Sequence, residues 1–138
     1  MKKLEIYIDG ASKGNPGHSG VGVVILQDGE TIKNISEYIG KATNNVAEYT
    51  ALIYGLQDCL MQKADGVDIK TDSQLLYRQI KKIYKIKSQN IAGLFNQAML
   101  LMSAFKEVDI KHIPREKNRG ADKLATLAIR KHLKKSGL

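Results

Sequence analysis

The chain lacks the features of a disulfide scaffold or a membrane protein. Its 138 residues include one cysteine, Cys59, which excludes an intramolecular disulfide and a Cys-rich zinc site. No apolar run approaches the ~20 residues that cross a bilayer. Met1-Lys2-Lys3 leads into an alternating pattern rather than an apolar stretch with a small-residue cleavage site. No signal peptide is expected, and a cytoplasmic location is the default. Repeats, low-complexity tracts and linkers are absent, and the length suits a single domain over residues 1–138. Acids are few: 14 Asp+Glu stand against 22 Lys+Arg, a net charge of +8. Between Asp72 and Glu107 there is no acid, yet Arg78, Lys81, Lys82, Lys85, Lys87 and Lys106 fall there. Arg130, Lys131, Lys134 and Lys135 repeat the theme near the C-terminus. On charge alone this is either a polyanion-binding surface or a solvated one.

What is present reads as an ordinary globular core, at 43% hydrophobic and 26% charged residues. Leu4, Ile6 and Ile8 alternate with Glu5, Tyr7 and Asp9, the period of a strand. The glycines and Pro16 of residues 11–20 predict a loop. Val21 to Leu26 is a near-continuous apolar run, expected of a buried strand. Asp28-Gly29 is a hairpin turn signal, and Thr31 to Tyr38 returns as a third strand. From Asn45 to about Lys63 the apolar residues recur at helical spacing, with Thr43 or Asn44 as the cap. Val67 to Thr71 is a fourth strand. Asp72 or Ser73 caps a helix holding Leu75, Leu76, Ile80 and Ile83. Ile91 to Phe105 marks another amphipathic helix, and Val108 and Ile110, with His112 as a candidate last member, a fifth strand. Pro114 to Gly120 reads as a polar loop, and Ala121 to about Leu133 as a closing helix. This order predicts an α/β fold: a mixed five-stranded sheet, three antiparallel strands followed by two parallel ones, with helices packed on both faces.

Four acids stand out on that framework. Asp9 ends the first strand and Asp72 the fourth. Carboxyl ends of parallel strands form the ligand crevice of an open α/β sheet. If these strands are neighbours, roughly 4.8 Å apart, the two carboxylates meet at one sheet edge. Glu48 lies about one turn into the first helix, and Asp122 in the first turn of the last. Each has a local alternative. Asp9 before Gly10 could serve a turn, and Glu48 could complete a capping box with Asn45. Asp72 could cap a helix, and Asp122 could complement a helix dipole. Taken together, four convergent carboxylates need neutralising. All-oxygen ligand sets suit Mg²⁺ or Mn²⁺. A pair of such ions about 4 Å apart is the usual device for in-line displacement at a phosphodiester.

These stretches also carry a family likeness. Tyr7-Ile8-Asp9-Gly10-Ala11-Ser12 with Gly14-Asn15-Pro16-Gly17, Thr43-Asn44-Asn45 with Ala47-Glu48, Thr71-Asp72-Ser73-Gln74, and Asn118 with Ala121-Asp122-Lys123-Leu124-Ala125 resemble the type 1 branch of ribonuclease H. The resemblance spans nearly the whole chain. It implies an endonuclease that cuts the RNA strand of RNA/DNA hybrids with two Mg²⁺ or Mn²⁺ ions, leaving 5′-phosphate and 3′-hydroxyl ends. It implies Asp9 as a ligand of both ions, Asp122 as a ligand of the water-activating one, and Glu48 and Asp72 as ligands on the leaving-group side. Ser12, Asn15, Asn44 and Gln74 match positions that touch the hybrid in its minor groove. Thr43 and Asn45 match positions that grip a phosphate of the DNA strand.

The chain departs from the pattern in three ways. The loop Pro114 to Gly120 has no histidine, so Arg115 or Lys117 is a candidate substitute. No long basic insertion is present, and Lys81, Lys82, Lys85 and Lys87, with Tyr84 for stacking, are candidates for a smaller one. Only eight residues precede Asp9, so no N-terminal hybrid-binding domain is expected. His112 is read as structural, His18 as a loop residue, His132 as a partner of the last helix's dipole, and Cys59 as buried and inert. A monomer without an obligate protein partner is the simplest expectation. The alternative function is an attenuated paralogue that binds hybrids or RNA without cutting.

Overall fold

In the computed structural model, which describes residues 1–137, five strands form one sheet in the order β3-β2-β1-β4-β5. The elements in chain order are β1 (Lys3–Gly14), β2 (Gly17–Gln27), β3 (Glu30–Ala42), α1 (Asn44–Met61), β4 (Gly66–Thr71), α2 (Gln74–Ile80), α3 (Gln89–Met102), β5 (Glu107–His112) and α4 (Arg119–Lys135). The β1–β2 and β2–β3 pairs are antiparallel, and β1–β4 and β4–β5 are parallel. The mixed sheet expected from the element order is therefore present. Among the described residues no helix is long and apolar enough to cross a membrane.

Alternation explains which side of the sheet each helix covers. Ile6, Ile8, Val21, Val23 and Ile25 are fully buried in the main apolar cluster, with Leu52 and Leu56 of α1. Each such side chain contributes about 1.5–3 kcal/mol. The opposite side of β2 is small where α4 crosses it. A Cβ on Gly22 would lie 2.0 Å from the Ala121 carbonyl oxygen, and one on Gly20 2.5 Å from that of Ala125. The apolar run in β2 thus serves a strand covered on both faces, with glycine where a helix backbone comes close.

Several local expectations change. Residues 11–20 do not form a loop: β1 and β2 stay paired out to Gly14 and Gly17, giving a long hairpin, so Asp9 lies within β1 rather than at its end. His18 is consequently a strand residue, and its Nδ1 lies 2.7 Å from the Tyr38 hydroxyl. Strand β3 runs on to Ala42 beside it. Ile83 is not on an inward helix face: α2 stops at Ile80, Lys82 has φ +61°, and Ile83 is exposed. Phe105 is buried but lies beyond α3. The expected loop before the last helix contains a single 3₁₀ turn, Arg115–Lys117, and α4 begins at Arg119. Cys59 is buried, and burial pushes its thiol up to about 12.

Candidate active site

The parallel register places the first two acids. Ile8 pairs with Thr71, so Asp9 and Asp72 follow next on adjacent strands. Helix α1 brings the third. Thr43 caps it, accepting a hydrogen bond from the Val46 N–H at 3.2 Å. With Thr43 as cap, Asn45 is the second helical residue and Glu48 the fifth, so the capping-box reading of Glu48 fails. Gly10 lets α1 lie against β1, since a Cβ there would fall 2.3 Å from the Ala47 carbonyl carbon and 2.4 Å from the Glu48 nitrogen. The cap of α2 is Ser73, which accepts from the Leu76 N–H at 3.1 Å, so Asp72 is free of that task.

Asp9, Glu48 and Asp72 each offer an oxygen, and the three oxygens lie within 4.8 Å of one another. Asp122 joins them in the wall of one cleft of about 390 Å³, with Gly10, Ala11, Ser12, Asn44 and Arg115. Asp9 and Glu48 are buried. Burial, then the nearby charge of Asp72, raises the Asp9 carboxyl to about 8, and the Asp122 side chain pushes the same way. Burial and the charges of Asp9 and Asp72 hold Glu48 well above its ordinary value. Asp72 is raised by burial and is pulled back by the Asn118 amide, by Arg115 and by His112.

Such a cluster calls for a cation. Glu48 Oε2 is buried and has no hydrogen-bond partner. An orphaned carboxylate oxygen facing two other carboxylates is a costly arrangement for the protein alone. A divalent cation would remove that cost, and the all-oxygen donor set suits a hard ion.

The other candidate residues divide by position. Ser12 and Asn44 line the cleft. Asn15, at the hairpin tip, accepts from the Asn44 N–H at 3.0 Å, which ties the hairpin to the start of α1. Thr43 and Asn45 flank that point, and Gln74 is the exposed first residue of α2. Lys81, Lys82, Lys85 and Lys87 are exposed on the segment after α2 and do not line the cleft, and Lys81 Nζ lies 3.7 Å from Asp109. Arg115 is in the cleft wall, whereas Lys117 lies beside a separate shallow cavity with Tyr7, Val24 and Leu26. His112 Nε2 lies 3.3 Å from the Asp72 carbonyl oxygen.

Sequence reasoning assigned no role to Asn118, which is almost wholly buried. Its Nδ2 donates to the Ile8 carbonyl at 2.8 Å and to Asp72 Oδ2 at 3.3 Å. One amide therefore fastens β1, Asp72 and the start of α4. Asn118→Ala is expected to cost about 1–3 kcal/mol by leaving the Ile8 carbonyl unpaired, and to weaken divalent-ion binding by freeing Asp72. Urea denaturation and ion titration would check this, and unchanged values in both would refute it. A second unread network joins Tyr49, whose hydroxyl donates to Gln79 Oε1 at 3.0 Å, and Asn45, whose Nδ2 is 3.5 Å from the same oxygen. It braces α1 against α2.

The comparisons with known proteins agree with this geometry. The family model described as reverse transcriptase-like matches residues 7–128. A protein of Mycobacterium tuberculosis described as bifunctional is 40% identical over 129 residues, 92% of this chain and 35% of that protein. The chain thus spans about a third of that relative's length. The crystal structure of RNase H1 from Halobacterium salinarum superposes with a TM-score of 0.91 at 35% identity, covering 94% of this chain and 98% of that one. The structure of LC11-RNase H1 in complex with an RNA/DNA hybrid gives a TM-score of 0.88 at 41% identity, covering 94% and 99%.

Proposed function

This chain belongs to the ribonuclease H family, type 1 branch, and we propose that it hydrolyses the RNA strand of RNA/DNA hybrids. The observation that carries the reading is the meeting of three carboxylate oxygens within 4.8 Å, just beyond the last residues that β1 and β4 pair in parallel. Asp9, Glu48, Asp72 and Asp122 would hold two divalent cations, Mg²⁺ or Mn²⁺. When bound, such ions neutralise the developing phosphoryl charge and lower the pKa of attacking water.

The net reaction adds water across one phosphodiester. The water oxygen bonds to phosphorus, the P–O3′ bond breaks, and the 3′-oxygen leaves as a hydroxyl. The products carry 5′-phosphate and 3′-hydroxyl ends. Short neutral polar side chains surround the acids, which suits reading of sugar edges in a minor groove. Ser12, Asn15, Asn44 and Gln74 would touch the hybrid there. Thr43 and Asn45 would grip a DNA phosphate, and Lys81, Lys82, Lys85 and Lys87 would hold more distant backbone. The chain would act as one domain and as a monomer in the cytoplasm.

Arg115 lines the cleft and would stand in for the missing loop histidine. Its guanidinium lies near enough to pull Asp72 down, and it is well formed for a phosphate oxygen. It cannot shuttle a proton at neutral pH, so its role would be electrostatic. Arg115→Ala is expected to lower kcat roughly 10- to 100-fold. Arg115→Lys would recover part of that, and Lys117→Ala would leave it unchanged. Equal losses at both positions would remove Arg115 from the role.

The decisive assay is cleavage of a labelled RNA strand in a hybrid, with Mg²⁺, Mn²⁺ or chelator. Single-stranded RNA and RNA duplex serve as controls. Ion-dependent cutting of the hybrid alone is the expected result. Hybrid binding by folded protein without cutting in either ion would overturn the hydrolase in favour of a binding module.

A further inference from the structure

Helix α4 carries a charge arrangement that the proposed active site does not use. Its buried side is Ala121, Ala125, Ala128 and Ile129. Arg119, Lys123, Arg130 and Lys134 are all exposed. At 100° per residue these four fall within an arc of about 60°. They form a basic stripe, interrupted at Thr126 and Leu127, that runs from Arg119 to Lys134, ~22 Å along the helix.

The stripe works against the helix that bears it. Arg119–Lys123 and Arg130–Lys134 are like-charge pairs at four-residue spacing, which disfavour a helix. Arg119 and Lys123 also sit at the amino end, where the macrodipole repels cations. The ion pairs of the described residues are Lys3–Asp68, Lys33–Asp58, Lys70–Glu5 and Lys81–Asp109. None of the four stripe cations takes part in one. A merely solvated helix face would gain by interspersed acids, and this one has none.

Its place suggests the occupant. The stripe starts beside the active site, with Lys123 directly after Asp122 and Arg119 in the same turn. It holds no aromatic residue on which a base could stack. We propose that the stripe of α4 is a second nucleic-acid track, binding the phosphate backbone where the nucleic acid continues past the hybrid segment in the cleft. This rests on the reading of the cleft as a hybrid-cutting site. Affinity would then depend on what adjoins the hybrid as well as on the hybrid itself.

The test uses the whole chain and a triple variant, Lys123→Gln, Arg130→Gln, Lys134→Gln. Glutamine forms helix as well as lysine does, so the melting temperature should be unchanged or higher. The probes are a short blunt hybrid, the same hybrid continued by a single strand, and the same hybrid continued by DNA duplex. Binding is followed by anisotropy against salt, in chelator. The wild type should bind at least one continued probe more tightly, with a steeper salt dependence. The triple variant should lose that difference, its slope falling by about 0.7 per lost single-strand contact or 0.9 per lost duplex contact. The probe that shows the loss identifies the source of the phosphates. Cleavage of the blunt hybrid should be the same in both proteins.

Equal wild-type binding of blunt and continued probes would overturn the proposal. A triple variant that keeps the difference would do so too. Anionic vesicles of phosphatidylserine, bound by wild type and lost in the variant with no change on nucleic acid, would reassign the stripe to a membrane surface. Failure of wild type to cut the blunt hybrid would instead strike the hydrolase reading, which the binding comparison does not touch.

Discussion

Asp9→Asn is expected to abolish hybrid cleavage and, in the same molecule, to raise the melting temperature of the metal-free protein. The activity loss should be at least about 1,000-fold, since the residue lies at the centre of the charge that must hold the cations. The stability gain has the same origin. Asp9 is buried against Asp72, Asp122 and Glu48, and its carboxyl is raised from 3.8 to about 8. The folded state therefore holds a proton that the unfolded chain releases near its ordinary pKa. Stability from this group is complete below about pH 4 and is lost as pH rises through about 8. In chelator the wild type should melt at steadily lower temperature across that window. Asp9→Asn removes one charge from the cluster, flattens the slope and gains on the order of 1–3 kcal/mol near pH 8. Added Mg²⁺ should stabilise the wild type by mass action and the variant much less. Calorimetry at several pH values, with and without Mg²⁺, checks all of this. A variant that melts below wild type in chelator at pH 8, or one that still cuts hybrid efficiently, would break the link between buried charge and chemistry.

The parts of this site that sequence could supply are those carried by short-range pattern. Alternation around Ile6 and Ile8 and the short apolar run of β4 point to Asp9 and Asp72, and the β1–β4 register brings them side by side, although β1 runs on past Asp9 to Gly14. Glu48 needed a tertiary fact: α1 can approach β1 only because Gly10 has no side chain. Caps were legible only as pairs of candidates. Thr43 or Asn44, and Asp72 or Ser73, differ by one residue and share the same chemistry, so hydrogen-bond geometry had to decide. The hairpin misled for a physical reason. Glycine and proline mark turns in general, but here Gly14 and Gly17 still face each other across a paired ladder. Contacts between distant segments left no local signal at all. Asn118 reaches the Ile8 carbonyl across 110 residues and Asp72 across 46. Tyr49 and Gln79 find each other across 30. A buried amide whose partners lie that far away looks, in sequence, like any loop asparagine or helix glutamine.

Gly22→Ala should be among the most damaging single-methyl changes in the fold. Its new Cβ would stand 2.0 Å from the Ala121 carbonyl oxygen and 2.7 Å from the Ala125 nitrogen, both backbone atoms of α4. Neither can swing aside as a side-chain tip could, so the whole helix must move off β2. That motion opens the seam along Ala121, Ala125 and Ala128 and carries Asp122 away from Asp9. Overpacking of this kind costs about 3 kcal/mol or more, and here the cost should appear in activity as well as stability. The comparison variant is Gly93→Ala, inside α3, where a Cβ would meet nothing within 4 Å. Alanine in place of an unconstrained helical glycine should stabilise by roughly 0.5–1 kcal/mol with activity unchanged. The same substitution thus carries opposite signs at two sites, and chain entropy alone would predict a gain at both. Urea unfolding of the two variants separates the explanations. If Gly22→Ala were neutral, the close approach of α4 to β2 would not be what holds Asp122 at the site. If it unfolds the protein while Gly93→Ala strengthens it, helix placement by a missing side chain is as much a part of the active site as the carboxylates.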